Sequence, residues 1–279
     1  MSQERNRSSS LVAGILTIGD EVLTGLVQDT NANWIELKLS AMGVTVKRTV
    51  SVRDELKEIK AGLDFLAKTC DVILTSGGLG PTHDDKTLEG IAHAFNRKLE
   101  QNPKALEIVR RQYRNLFEKG IVDTPEMTPA REKMAKIPKG GTPLDNRVGG
   151  APGVMISEGD LTIFCLPGVP DELKFIFEDS VQPWIEEHTS SAYYEETIEF
   201  PTKDETIFAP YIDEVMEEHD DVYIKSMPKT YGTTNVLRVW VSAKGAEEEE
   251  LKEKVQAAIE SLSEATELEY RTAKDVDSR

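Results

Sequence analysis

The chain has 279 residues, of which 50 are acidic and 33 basic, for a net charge of −17. That length suffices for two modest domains with a core each, and that charge argues against non-specific binding to nucleic acid or to an anionic membrane. No apolar run approaches the ~20 residues of a membrane-spanning helix, so a soluble, cytoplasmic protein is expected. The two cysteines, Cys70 and Cys165, lack zinc-ligand spacing and are expected as buried thiols, with a disulfide between them as the alternative.

In chain order, residues 1–10 are polar and read as a disordered tail. Residues 11–18 are apolar and end at Gly19-Asp20-Glu21, which predicts a central parallel strand delivering two carboxylates to the edge where open α/β sheets bind ligands. Asp29-Thr30-Asn31 opens a helix with Trp34, Ile35, Leu37, Leu39 and Met42 at helical spacing, stopped by Gly43. Asn31 is read as a cap of that helix, with a place in the cleft as the alternative. Residues 44–52 alternate into a second strand, and Arg53-Asp54 starts a second helix; Asp54 is expected outside the cleft.

Residues 71–85 carry the strongest functional signal. The apolar run Val72-Ile73-Leu74 breaks into Ser76-Gly77-Gly78-Leu79-Gly80 and then Pro81-Thr82-His83-Asp84-Asp85 before a helix expected over 84–96. Gly77, Gly78, Gly80 and Thr82 are the candidates for holding a phosphate, because glycines permit positive φ and close backbone approach at a helix N-terminus. Asp84 and Asp85 oppose an anion unless a divalent cation intervenes. The competing reading is that they cap the helix. His83 alone of the four histidines falls in this stretch.

A helix follows from Asn102-Pro103, and residues 120–153 are long, irregular and rich in Pro, Gly and charge, which marks a functional segment. Asn146 and Arg147 are its polar candidates, Arg147 as a phosphate clamp. Two strands then lead to Leu166-Pro167-Gly168-Val169-Pro170, where Gly168 is a further phosphate-binding candidate and Glu172 a cleft candidate. Succession of strands and helices to this point predicts a mostly parallel sheet in a three-layer α/β/α domain over 11–190. Residues 191–268 read as a smaller α+β domain of β-α-β-β-α order, with Lys225, Lys229 and Arg238 scattered on it, and 269–279 as a tail.

Gly77-Gly78-Leu79-Gly80 with Asp85, Thr87 and Glu89 resembles the Gly-Gly-x-Gly…Asp-x-Thr-x-Glu signature of molybdopterin-binding (MoaB/Mog-like) domains. Gly19-Asp20-Glu21-Val22-Leu23-x-Gly25, Asp29-Thr30-Asn31, the Pro81-Thr82-His83-Asp84-Asp85 spelling, Asn146-x-x-Gly149-x-Ala151-Pro152-Gly153 and Leu166-Pro167-Gly168-Val169-Pro170-x-Glu172 are closer to the branch of CinA and the N-terminal part of FAD synthases. The second domain resembles the one that follows in CinA-type proteins, and no stretch corresponds to the CinA amidase domain. The resemblance implies metal-dependent hydrolysis of a nucleotide pyrophosphate, ADP-ribose or an FAD-like molecule, with release of AMP. Asp85, Asp84 and Glu21 are the expected catalytic groups; Asp20, Glu21, Asp84 and Asp85 are the expected ligands of Mg, Mn or Co. Which carboxylate is ligand and which is base stays open. The alternatives are molybdopterin binding and adenylylation, or a non-catalytic scaffold of the same fold. A homo-oligomer, most simply a C2 dimer using Trp184 or the second domain, is expected.

Overall fold

A computed structural model describes residues 11–202, 204–227 and 236–273. The expected tail at 1–10, Lys229 and residues 274–279 lie outside the described residues. The chain divides into two compact units, the first ending at Thr189 and the second beginning at Ser190.

The first unit runs β1 (Val12–Ile18), α1 (Asp20–Leu23), α2 (Thr30–Ala41), β2 (Thr45–Val52), α3 (Leu56–Leu66), β3 (Val72–Ser76), α4 (Thr87–Ala94), β4 (Leu99–Gln101), α5 (Pro103–Glu118), α6 (Pro129–Lys133), β5 (Lys136–Pro138), β6 (Thr142–Leu144), β7 (Gly153–Glu158), β8 (Leu161–Leu166), α7 (Pro170–Ile176), a π-helical turn (Phe177–Val181) and α8 (Gln182–His188). Its main sheet has the order β2-β1-β3-β8-β7-β6. The first four strands are parallel, β7 runs against β8 and β6 against β7. Every residue of β3 and of β8 is buried, as continuous apolar strands covered on both faces must be.

Because successive side chains leave opposite faces of a strand, Ile73 and Ile163 join Ile59, Leu63, Ile91 and Val109 of α3, α4 and α5 on one side. On the other side Phe164 meets Trp184 edge-on at 5.3 Å, and Trp34 of α2 meets Phe177 at 5.1 Å. The expected three-layer α/β/α architecture is the fold. Trp184, expected as an association surface, is half-buried, edge-on to Phe164 and stacked on His188 at 4.0 Å. The segment expected to be irregular over 120–153 contains α6, β5 and β6, and β5 pairs antiparallel with β4. Cys70 and Cys165 are free and buried, and burial pushes the Cys165 thiol up to about 12.

The second unit runs β9 (Ala192–Phe200), α9 (Glu205–Glu218), β10 (Val222–Met227), β11 (Leu237–Gly245), α10 (Glu248–Thr266) and β12 (Arg271–Thr272). Its antiparallel sheet has the order β10-β11-β9-β12, and α9 and α10 bury Phe208, Val215, Val255 and Ile259 against Ile198, Val239 and Val241. Residues 271–273, expected in a frayed tail, are ordered for two reasons. Arg271 pairs with β9, and its guanidinium joins that of Arg238 on the Glu199 carboxylate at 2.7 and 2.9 Å. Both cations hold that carboxyl below its ordinary range.

Phe164 is fully buried at the centre of the parallel sheet. Its replacement by Ala should cost about 3–5 kcal/mol in urea unfolding; a loss well under 1 kcal/mol would mean that the aromatic seam does not hold α8 to the sheet.

Candidate functional site

The order β2-β1-β3 places a topological switch point between β1 and β3, since the chain leaves β1 toward β2 on one side and returns to β3 on the other. In open α/β sheets the crevice beyond the strand ends at such a point is where ligands sit. Three loops converge there. Gly77 donates its N–H to the Leu166 carbonyl at 3.0 Å, and a Cβ on it would stand 2.2 Å from the Ile18 carbonyl. The carboxamide of Asn31 donates to Ser76 Oγ at 3.0 Å and to the Gly168 carbonyl at 2.8 Å. Asn31 therefore ties the loops after β3 and β8 together, and Asp29 caps α2 by accepting from the Ala32 N–H at 2.9 Å while its other oxygen takes the Thr17 hydroxyl at 2.6 Å. The capping expectation was assigned two residues too late.

Gly77 and Gly78 have φ of 104° and 64°. The reason is packing as much as any ligand: a Cβ on Gly78 would lie 2.4 Å from Thr87 Oγ1, whose hydroxyl donates to the Gly77 carbonyl at 2.7 Å. A Cβ on Gly80 would fall 2.7 Å from the Asp85 carboxylate. Helix α4 starts at Thr87 rather than at 84, with no side-chain cap. Asp85 instead turns back on Thr82, accepting its N–H at 2.8 Å and its hydroxyl. Asp84 is exposed, and hydrogen bonding within the turn, from Thr82 and from its own N–H, ahead of the His83 and Lys133 charges, holds its carboxyl below the ordinary range. His83 is almost wholly exposed, 3.9 Å from Asp84.

On one side of this loop lies a carboxylate rim. Parallel pairing of Ile18 with Val52 brings the ends of β1 and β2 together. There the Asp20 N–H donates to Asp54 Oδ2 and the Asp20 carboxylate accepts from Arg53, both at 2.9 Å. Partial burial raises the Asp54 carboxyl above its ordinary value, against the Asp20 N–H that lowers it, and the charges of Glu21, Asp20 and Asp84 raise it further. Asp54 was expected outside the cleft; it stands within the electrostatic reach of three of the four expected metal ligands. Yet among the described residues no three His, Cys, Asp or Glu side chains stand close enough to hold a metal ion. Of the expected set of Asp20, Glu21, Asp84 and Asp85, Asp20 accepts from Arg53 and Asp85 from Thr82, and the four do not converge on one point in this arrangement.

On the other side a pocket of about 160 Å³ opens beside Gly78, Leu79 and Gly80, lined by Leu88, Leu99 and Met134 and by the charged Asp85, Glu89, Lys133 and Lys136. A family model described as "Probable molybdopterin binding domain" matches residues 14–187, a stretch that contains the switch point, the rim and the pocket. The chain belongs to the molybdopterin-binding domain family. A protein of Pyrococcus abyssi is 40% identical over 244 residues, covering 87% of this chain and 93% of its own. One of Sulfurisphaera tokodaii is 36% identical over 254 residues, covering 90% and 94%. The crystal structure of the protein CinA from Thermoplasma acidophilum is similar with a TM-score of 0.56 at 35% identity, over 62% of this chain and 98% of that one.

Of the residues expected at the site of this molybdopterin-binding domain, Gly78, Gly80 and Asp85 line the pocket, and Gly77 and Gly168 lie at the adjoining strand ends. Asn146, expected as a phosphate ligand, has each of its polar atoms partnered within the protein. It is wholly buried, its amide donates to the Ala151 carbonyl and Glu172 at 2.7 Å each, and its oxygen accepts the Val148 and Gly149 amides. Burial raises the Glu172 carboxyl, which that amide partly offsets. Arg147 is exposed and shares Asp145 with Arg111. Sequence reasoning missed Arg53, Asp54, Lys133 and Lys136. Nothing local distinguishes such charges from a solvated surface; strand register and the fold of 120–153 bring them in.

Two outcomes follow from this geometry. Gly78→Ala should destabilise the ligand-free protein by at least about 1–2 kcal/mol, the cost of a left-handed non-glycine residue, before the Thr87 clash is added; unchanged urea unfolding would show that the loop relaxes freely. Because the Asp54 carboxyl is raised above 3.8 in the fold, its contribution is fully present below pH 3.8 and is lost as pH rises through its folded value. Asp54→Asn keeps an acceptor for the Asp20 N–H, so its stability relative to wild type should climb with pH above 3.8, and a flat difference would refute the raised carboxyl.

Proposed function

We propose that the first unit binds molybdopterin and ATP at the C-terminal edge of the sheet and transfers the adenylyl group to the pterin phosphate, the α–β anhydride of ATP breaking and pyrophosphate leaving. The observation that carries this reading is the pocket against Gly78-Leu79-Gly80 in a chain of the molybdopterin-binding family. At about 160 Å³ it falls below the ~300 Å³ at which pockets begin to enclose whole ligands. It therefore seats a ring system, with the first phosphate at its mouth beside Lys133, and leaves any further phosphate to the open crevice between the strand ends. Leu79, Leu88, Leu99 and Met134 offer apolar contact to a flat heterocycle, Asp85 and Glu89 offer acceptors to its amino groups, and Lys133 and Lys136 offset phosphate charge.

A second reading, hydrolysis of ADP-ribose or an FAD-like molecule to release AMP, is favoured by the rim of Asp20, Glu21, Asp54 and Asp84. A divalent ion would supply charge neutralisation and an activated water there, but the described side chains do not assemble its ligands. No step is assigned to it.

Calorimetric titration with AMP and with molybdopterin, beside an assay of AMP release from ADP-ribose and FAD with Mg, Mn and Co, separates the readings. Binding of both ligands without AMP release supports adenylylation. Metal-dependent AMP release instates the pyrophosphatase, and neither result leaves a scaffold. Whichever reaction is found, Asp85→Asn keeps an acceptor for the Thr82 N–H while removing a charge, so turnover should fall by ~10²-fold or more with little change in melting temperature. Asp64→Asn, whose exposed carboxylate pairs with Lys60 one turn back on α3, is the silent control. Equal rates in all three proteins would remove Asp85 from the chemistry.

A further inference from the structure

The turn that presents Asp85 has no regular structure between β3 and α4, and the groups that hold it come from two places. One is internal, the Thr82 N–H and hydroxyl on the Asp85 carboxylate. The other arrives from α6, within the 120–153 segment. Lys133 donates its ammonium to the Thr82 carbonyl and, at 2.8 Å, to the Asp85 carbonyl. Two main-chain oxygens on either side of the turn thus converge on one cation.

The platform carrying that cation is rigid. Thr128 caps α6 by accepting the Arg131 N–H at 3.3 Å. Arg131 stacks over the Tyr113 ring of α5 at 3.8 Å, and its guanidinium takes the Thr124 carbonyl at 2.7 Å and that of Glu126. The residue that follows, Met134, is buried in the core. Lys133 is therefore projected from a helix fixed to the body of the unit, whereas the turn it holds is exposed.

An ammonium carries three donors. Two are committed to the Thr82 and Asp85 carbonyls, and Lys133 also lines the pocket beside Asp85 and Glu89. We propose that Lys133 is a positioning residue that latches the 82–85 turn, so fixing Asp85, and that its third N–H takes an anionic oxygen of the ligand in the pocket. The second half of this assignment rests on the ligand-binding reading of the pocket; the latch does not. Charge order supports both halves. In a stretch with Asp84, Asp85 and Glu89, a phosphate approaches only if a cation is already present, and an ammonium that is also the turn's anchor couples turn order to ligand charge. Among the described residues it is Lys133 that bonds the turn, while Lys136, the other cation of the pocket, lines it without a hydrogen bond to the turn.

The test compares the full chain as wild type, Lys133→Met, Lys133→Arg and Lys136→Met, by amide hydrogen exchange of peptides covering 80–87, by calorimetry with AMP and by melting temperature. Lys133→Met should raise exchange at 82–86 by about tenfold or more while the core strands stay protected, and weaken AMP by about tenfold, the loss of one charged hydrogen bond. Lys133→Arg should restore slow exchange and most of the affinity. Lys136→Met should weaken AMP by only about threefold and leave exchange unchanged, as a screened charge without a fixed geometry would. Wild-type exchange in Lys133→Met overturns the latch whatever happens to binding, and an equal loss of affinity in Lys133→Met and Lys136→Met overturns the direct contact. If wild type does not bind AMP, the proposed function loses its nucleotide and exchange alone decides the latch. Should Lys133→Met lose protection throughout, Lys133→Gln, which keeps donors without the charge, decides by the same local readout.

Discussion

Gly77 is where the first unit is tied together. Its N–H reaches the Leu166 carbonyl at the end of β8, and the place of its absent side chain is taken by the Ile18 carbonyl at the end of β1. Three parallel strands can end this close together only if the residue between them has no Cβ and takes a positive φ, which glycine alone does at little cost. Thr87 then locks the same peptide from the α4 side, and Asn31 crosses from α2 to close the gap to Gly168. Order at the ligand edge is thus a property of backbone packing, present whether or not a phosphate is bound.

That edge is electrically divided. On the β1–β2 side the charges of Glu21, Asp20 and Asp84 add to burial in raising the Asp54 carboxyl, with Arg53 the cation paired to Asp20. On the α4–α6 side Asp85 and Glu89 are balanced by Lys133 and Lys136. An anionic ligand meets less opposition on the second side. This is the physical ground for seating the ring and its first phosphate there, and for treating the rim as the place where a reaction that needs a metal would have to complete its own ligand set.

The segment 120–153 shows how a stretch with little periodicity earns a structure. Arg131 on Tyr113, Arg111 and Arg147 on Asp145, and Asn146 between Ala151 and Glu172 replace an apolar face with saturated polar contacts. Those contacts consume the groups that looked available for a ligand. A buried amide with every donor and acceptor satisfied is scaffolding, because any ligand bond would have to replace one already made.

The sequence by itself determined the layer architecture, the glycine loop and the family. Apolar runs such as Val72-Ile73-Leu74 and Leu161-Thr162-Ile163-Phe164 can only be strands buried on both faces, and the spacing of Ile59 and Leu63 can only cover one of those faces. Periodicity and turn chemistry are local, so they are legible in a string. Tertiary structure alone decided which charges share the edge. Register between β1 and β2 set Arg53 and Asp54 beside Asp20, and the fold of a distant loop brought Lys133 to Asp85 across 48 positions. Such pairings depend on which residues meet across long closures, and a charged residue reads the same in sequence whether it ends in solvent or on a carbonyl.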